Sequence, residues 1–257
     1  MMIVRKPNHI RATAAAFKVW RKYDFPHPSE IALEDLAMAR NVLVKEGAIK
    51  GAEGRLVRKN GAGVAHIRDG IVPEGRRRFT IAHELGHWEL HEGQTQFICS
   101  AKDMRDYGRS YLEAEANLFA ASLLMPKRYF APIIENAEPS MKLVKELAKE
   151  FGTTLTASAI RFADLSKHQI IVVWAEDGQI QWSYRNEKTT ELYVAAGVRL
   201  PSYSSATVSN REIIPEMGYY DQANWFPQLF HDVGEVMEET LRMNNLGTSL
   251  TLLWLPR

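Results

Sequence analysis

The sequence predicts an α+β protein, helix-rich up to about residue 165 and strand-rich beyond it. Three observations predict this. Apolar residues recur at helical spacing through most of the first part. Two hairpin signals, Asn60-Gly61 and Asp177-Gly178, each stand between alternating segments. The charge also changes sign: residues 168–257 hold eleven acidic and six basic side chains, a balance of −5, within a chain of net +1. The predicted organisation is a mostly helical domain over 1–139, a two-helix segment over 140–167, and a small α+β domain over 168–257.

The elements follow in order. Residues 10–23 are alanine-rich and helical in spacing. Residues 28–47 read as a second helix, with Ser29 as its N-cap and Gly47 as its stop. "GRLVRKNGAGVAHIR" (54–68) reads as two short strands around Asn60-Gly61. A helix bearing His83, Glu84 and His87 comes next and stops near Gly93. Another begins at Ser110 and must end near Pro126, because proline breaks a helix interior. Residues 140–165 read as two short helices around Gly152. "QIIVVWAEDGQIQWSYRN" is a hairpin, residues 234–244 read as a helix, and "SLTLLWLP" is a strand apolar on both faces. Trp174, Trp182 and Tyr184 alternate on that hairpin as cross-strand pairs.

Composition narrows the function. With 46% hydrophobic and 25% charged residues, the chain has the make-up of a water-soluble globular protein. No apolar run reaches the roughly 18 residues that span a bilayer. The first residues lack the continuous apolar core of a signal peptide, and the sole cysteine, Cys99, cannot form an internal disulfide. Together these predict a cytoplasmic protein. The cluster Arg55, Arg58, Lys59, Arg68, Arg76, Arg77 and Arg78 is either a solvated face or a surface for nucleic acid or an acidic partner.

"RRRFTIAHELGHWELH" (76–91) carries the chemistry. Residues four apart share one helix face, so His83 and His87 can offer two imidazole nitrogens to one ion. Glu84 sits beside them and can reach a water on that ion as general base. A catalytic zinc takes three protein ligands and keeps its fourth position open. A third histidine six residues after His87 would stand at 93, which is Gly93. His91 is rotated away and sits at the helix end, where it caps or makes an outer contact. A carboxylate from the next helix remains: Glu113 or Glu115. Glu113 is favoured, since Asn117 and Ala120 leave space beside it and Asn117 could support it. Ser110 and Glu113 also form a capping-box pattern. Gly86 costs about 1 kcal/mol within a helix and needs a reason, either a close backbone or room around a metal.

"FTIAHELGH" followed by "EAEANLFAASLLMP" resembles the ImmA/IrrE family of zinc metallopeptidases. The likeness covers about residues 50–165. It implies a zincin-like fold, one zinc ion per chain held by His83, His87 and Glu113, and Glu84 as base. It further implies an endopeptidase that cleaves a helix-turn-helix transcriptional repressor and so releases stress-response or mobile-element genes. Residues 140–167 resemble the family's helix-turn-helix-like piece. Its second helix offers only Arg161 and Lys167 as reaching basic groups, thin equipment for reading a major groove. Residues 168–257 are short for the GAF-like domain of the radiation-resistance members and are expected to regulate or recruit. Tyr107, Tyr111 and His91 are candidate oxyanion donors. "GAGVAHI" (61–67), with His66, is the candidate edge for an extended substrate. The alternative function is a non-catalytic zinc-containing regulator that binds a repressor or DNA; a structural zinc is closed by four protein ligands.

Overall fold

The computed structural model describes residues 7–23, 25–100, 110–186, 189, 192–202, 204, 217–226, 234–243 and 247–256. It is α+β. Two compact units arise: residues 1–127 with 148–154, and residues 128–147 with 155–257.

The first unit is built around a buried helix. In chain order it has α1 (His9–Tyr23), a 3-10 turn (Pro28–Glu30), α2 (Leu33–Ala39), β1 (Val42–Gly47), β2 (Gly54–Lys59), β3 (Ala62–Arg68), α3 (Glu74–Leu90), β4 (Gln96–Cys99) and α4 (Tyr111–Leu124). The strands form one sheet in the order β1-β3-β2-β4. β1 runs parallel to β3, and the other pairs are antiparallel. On α3 every residue from Phe79 to Trp88 is buried, because β2 and β3 pack on one side of it and α1 and α4 on the others. α4 is similarly enclosed, with Ala114–Asn117 and Phe119–Leu124 buried.

The single helix expected over 28–47 is replaced by three elements. His27 caps the 3-10 turn through Ser29, and α2 ends at Ala39. Asn41 then turns the chain at φ 63°, a left-handed conformation that asparagine tolerates. The following Val-Leu-Val run becomes β1, drawn into the sheet by β3. Its two β-branched valines favour that outcome. The Asn60-Gly61 hairpin forms as expected, with φ of 51° and 76° at the turn. β3 is nonetheless no edge. It is paired on both sides, and His66 lies against Gly47 of β1. The edges are β1 and β4, so no peptide can add to β3.

The second unit contains α5 (Lys127–Ile134, whose first residue belongs to the other unit), most of α6 (Met141–Glu150) and all of α7 (Leu155–Leu165). It continues with β5 (Ile170–Glu176), β6 (Gln179–Arg185), β7 (Met217–Asp221), β8 (Glu235–Met243) and β9 (Thr248–Trp254). α6 and α7 flank Gly152, which has φ 58°. The strands form an antiparallel sheet ordered β6-β5-β9-β8-β7. β9 is central and buried on both faces, as its apolar pattern predicts. Trp174 and Trp182 are register partners on β5 and β6 and stack 6.2 Å apart.

The helix expected over 234–244 is instead strand β8. Its glutamates suit a solvated helix surface, yet Glu238 and Glu239 are buried. Glu238 accepts hydrogen bonds from Ser204 Oγ, Trp225 Nε1 and Thr240 Oγ1. Pairing with β7 and β9 on both sides decides the element, and local propensity does not.

The basic cluster is largely engaged within the protein. Arg68 and Arg76 pair with buried Glu53. Arg77 meets Glu34, Glu46 and Glu74. Arg78 donates to the carbonyls of Pro28 and Ile31, and Arg58 to that of Trp88 while lying over its ring. Only Arg55 and Lys59 of the seven are exposed. On α7 no side chain is fully exposed and Arg161 is buried, so this helix cannot serve as a recognition helix. No described helix is long and apolar enough to cross a membrane.

A candidate metal centre

α3 presents His83, Glu84 and His87 inward, and each is fully buried. α4 crosses it closely enough to bring in Glu113. A Cβ on Gly86 would lie 2.9 Å from the Ala116 backbone. Close approach of a second backbone is therefore why glycine stands at 86: Glu113, one turn before Ala116, is set against the histidines by that contact. His83 Nε2 lies 3.1 Å and His87 Nε2 3.4 Å from the Glu113 carboxylate. The two Nε2 atoms are 3.0 Å apart.

The partners of the histidines define which nitrogen is bare. His91 Nε2 lies 3.0 Å from Glu115, which can only accept. The other nitrogen of His91 must therefore be an acceptor, and it sits 3.0 Å from His87 Nδ1. His87 thus donates through Nδ1 and turns the lone pair of Nε2 to the cluster. Asn117 Oδ1, 2.9 Å from His83 Nδ1, imposes the same tautomer on His83. Two nitrogen lone pairs and a carboxylate then converge on one point. Such a set repels itself unless a cation lies between its members, and it is the donor set that a divalent metal takes. The residues present therefore fit a metal.

The electrostatics agree. Burial opposes charge on His83, but the hydrogen bond and charge of Glu113, the charge of Glu84 and the hydrogen bond to Asn117 together outweigh it and raise its pKa. Burial likewise opposes charge on Glu113, yet His83 and His87 hold its carboxyl far below the usual range. Burial pushes His87 down to about 4, which keeps its lone pair free. The cluster is built to hold positive charge, as a proton or in its place a metal.

Glu84 differs from every other group here. It is wholly buried, and neither carboxylate oxygen has a hydrogen-bond partner of normal geometry. The Cys99 thiol nearby is only a weak donor. Desolvation raises the Glu84 carboxyl to about 7, against the pull of His83. Room for it comes from Gly54 on β2: a Cβ there would collide with Glu84 Oε1.

The expected residues occupy particular places. His83, Glu84, His87 and Glu113 come together. Glu115 does not join them; it takes the far side of His91 and accepts the backbone N–H of Asn8. His91 stands at the C-cap of α3, but its side chain bridges His87 and Glu115. Asn117 supports His83 (its expected partner was Glu113), and Ser110 makes no side-chain cap, so the capping-box pattern is not used as one. Tyr111 opens α4 and is half-buried; Tyr107 lies outside the described residues. Two residues of β4 were not foreseen. Phe97 stacks on His87, with centroids 3.9 Å apart. Cys99 brings its sulfur within 4.8 Å of the donor atoms of His83, His87 and Glu113. Alternation in "QFIC" was the available signal, and four residues are too few to carry it.

Fold and cluster together define a candidate metal centre. Residues 37–163, just under half of the chain, match the peptidase M78 family model, described as the IrrE N-terminal-like domain, and in that region the chain resembles that family. Similar relatives include the radiation response metalloprotease IrrE of Deinococcus radiodurans, 32% identical over 111 residues, or 42% of this chain and 33% of that protein. That of Deinococcus deserti is 28% identical over 107 residues, 41% of this chain and 37% of that protein. The chain thus matches about a third of the length of these relatives. A solved structure described as a Mycobacterium tuberculosis transcriptional regulator has a TM-score of 0.65 at 16% identity. That match covers 96% of this chain and 77% of the other, and it is a likeness of fold.

Proposed function

We propose that this protein is a zinc-dependent endopeptidase in which His83, His87 and Glu113 hold the metal and Glu84 is the general base. The observation that carries the reading is the Glu84 carboxylate. Leaving a buried polar group unsatisfied costs about 1–3 kcal/mol, and more when it is charged. Glu238 shows that this chain satisfies a buried carboxylate where only structure is at stake. An unsatisfied one beside the donor set has a proton to take.

When bound, zinc would polarise the scissile carbonyl and acidify a water. The chain's residues do the rest. His91 and Asn117 hold the imidazole tautomers. Glu84 accepts the proton of the attacking water and delivers it to the leaving amine. Phe97 and the surrounding helices exclude bulk water, which strengthens each charge interaction. The extended substrate adds to β4, the edge strand nearest the cluster, and Ile98 on it is 60% exposed.

The substrate class we propose is a helix-turn-helix transcriptional repressor in the cytoplasm, whose cleavage releases stress-response or mobile-element genes. The family resemblance supports it, as does the radiation-response role in the names of the Deinococcus relatives. The test is incubation of the metal-loaded protein with the repressor encoded beside its gene. One discrete cut, absent with Glu84→Gln, is expected. An intact repressor would set aside this substrate.

A further inference from the structure

Cys99 has a place in the metal centre that the peptidase reading leaves unassigned. It ends β4, is fully buried, and its sulfur lies within 4.8 Å of the donor atoms of His83, His87 and Glu113, which lie within the same distance of one another. Around a tetrahedral ion with bonds of about 2.0–2.3 Å, donor atoms stand roughly 3.5 Å apart. Drawing these four in to that spacing needs shifts on the order of 1 Å. The position of the sulfur is set by the sheet, since Cys99 is the register partner of Gly54. Gly54 is also the residue whose missing side chain admits Glu84. The thiol is thus brought beside the Glu84 carboxylate at the same cluster.

We propose that the Cys99 thiolate is a fourth ligand that closes the metal centre in its resting state. This rests on the metal reading above and adds regulation to it. Binding releases the thiol proton to solvent, and a sulfur lone pair fills the fourth position. A centre closed by four protein ligands is inert, whereas a catalytic one needs that position open. Cys99 and substrate therefore compete. While sulfur is bound, no position is left for the attacking water. Peptide entering beside β4 must displace the sulfur, which takes a proton back from solvent.

X-ray absorption on the zinc-loaded, full-length protein tests this directly. One sulfur at about 2.3 Å, beside nitrogen and oxygen at about 2.0–2.2 Å, is expected. Cobalt(II) in place of zinc should add a sulfur-to-metal charge-transfer band, and Cys99 is the sole thiol in the sequence that could give it. Cys99→Ser should still bind one metal but lose both signatures. Its affinity should fall by at least the roughly 10–100-fold that losing an outer partner costs. Should that variant misfold, the wild-type spectra alone decide. One metal per chain, lost in His87→Ala but lacking sulfur in its shell, would overturn the Cys99 assignment and leave the peptidase reading standing. Wild-type protein that binds no metal would remove both.

Discussion

Two regions of this chain bury carboxylates, and they do it in opposite ways. On β8, Glu238 is surrounded by donors from Ser204, Trp225 and Thr240, and Glu239 accepts the backbone N–H of Met141. On α3, Glu84 is equally inaccessible and meets only the weakly donating Cys99 thiol. Burial alone therefore does not mark a functional group. A satisfied carboxylate is part of the framework, while an unsatisfied one beside converging metal donors is held ready for chemistry.

The largest effect should come from breaking that contrast at Glu84. Glu84→Gln keeps the shape and removes the base, so turnover of a cleaved substrate should fall by about 10²–10⁴-fold. Metal content and folding should be unchanged. Gly54→Ala should imitate it without touching Glu84, because the new Cβ takes the space of a carboxylate oxygen. Activity should fall while His83, His87 and Glu113 still bind metal. If Gly54→Ala loses the metal as well, the glycine serves the whole cluster and not the base alone.

The supporting chain comes next. His91→Ala removes the acceptor that fixes the tautomer of His87, and metal affinity should drop about 10–100-fold. Isothermal titration with zinc would measure it, and unchanged affinity would reduce His91 to a packing residue. The mirror-image experiment is Glu238→Gln. It puts a donor where a donor must be accepted, and stability should fall by about 1–3 kcal/mol in chemical denaturation with metal binding intact. A neutral result there would dissolve the comparison.

How much of this could be read from the sequence differs between the same two regions. The helix spacing of His83 and His87 and the glycine at 86 point to a metal site because α3 and α4 are regular, and a regular helix fixes which side chains meet. That Glu113, and not Glu115, would lie beside His83 and His87 was legible for the same reason. β8 was not, because glutamates in a row favour a helix until strands on both sides claim them. β1 was lost likewise to the helix before it. Cys99 and Phe97 reach the site only through pairing of β4 with β2, a contact some forty residues apart in sequence. Nor could the interior place of β3 be seen, since it depends on β1 returning in parallel beside it.

In the proposed reading, α3 and α4 hold one catalytic metal with Glu84 beside it, outside the ligand set. Elemental analysis of three purified proteins tests this most directly. The account predicts one divalent ion per chain in the wild type, loss of it in His87→Ala, and full retention in Glu84→Gln. Full occupancy in His87→Ala, or an empty Glu84→Gln, would contradict it.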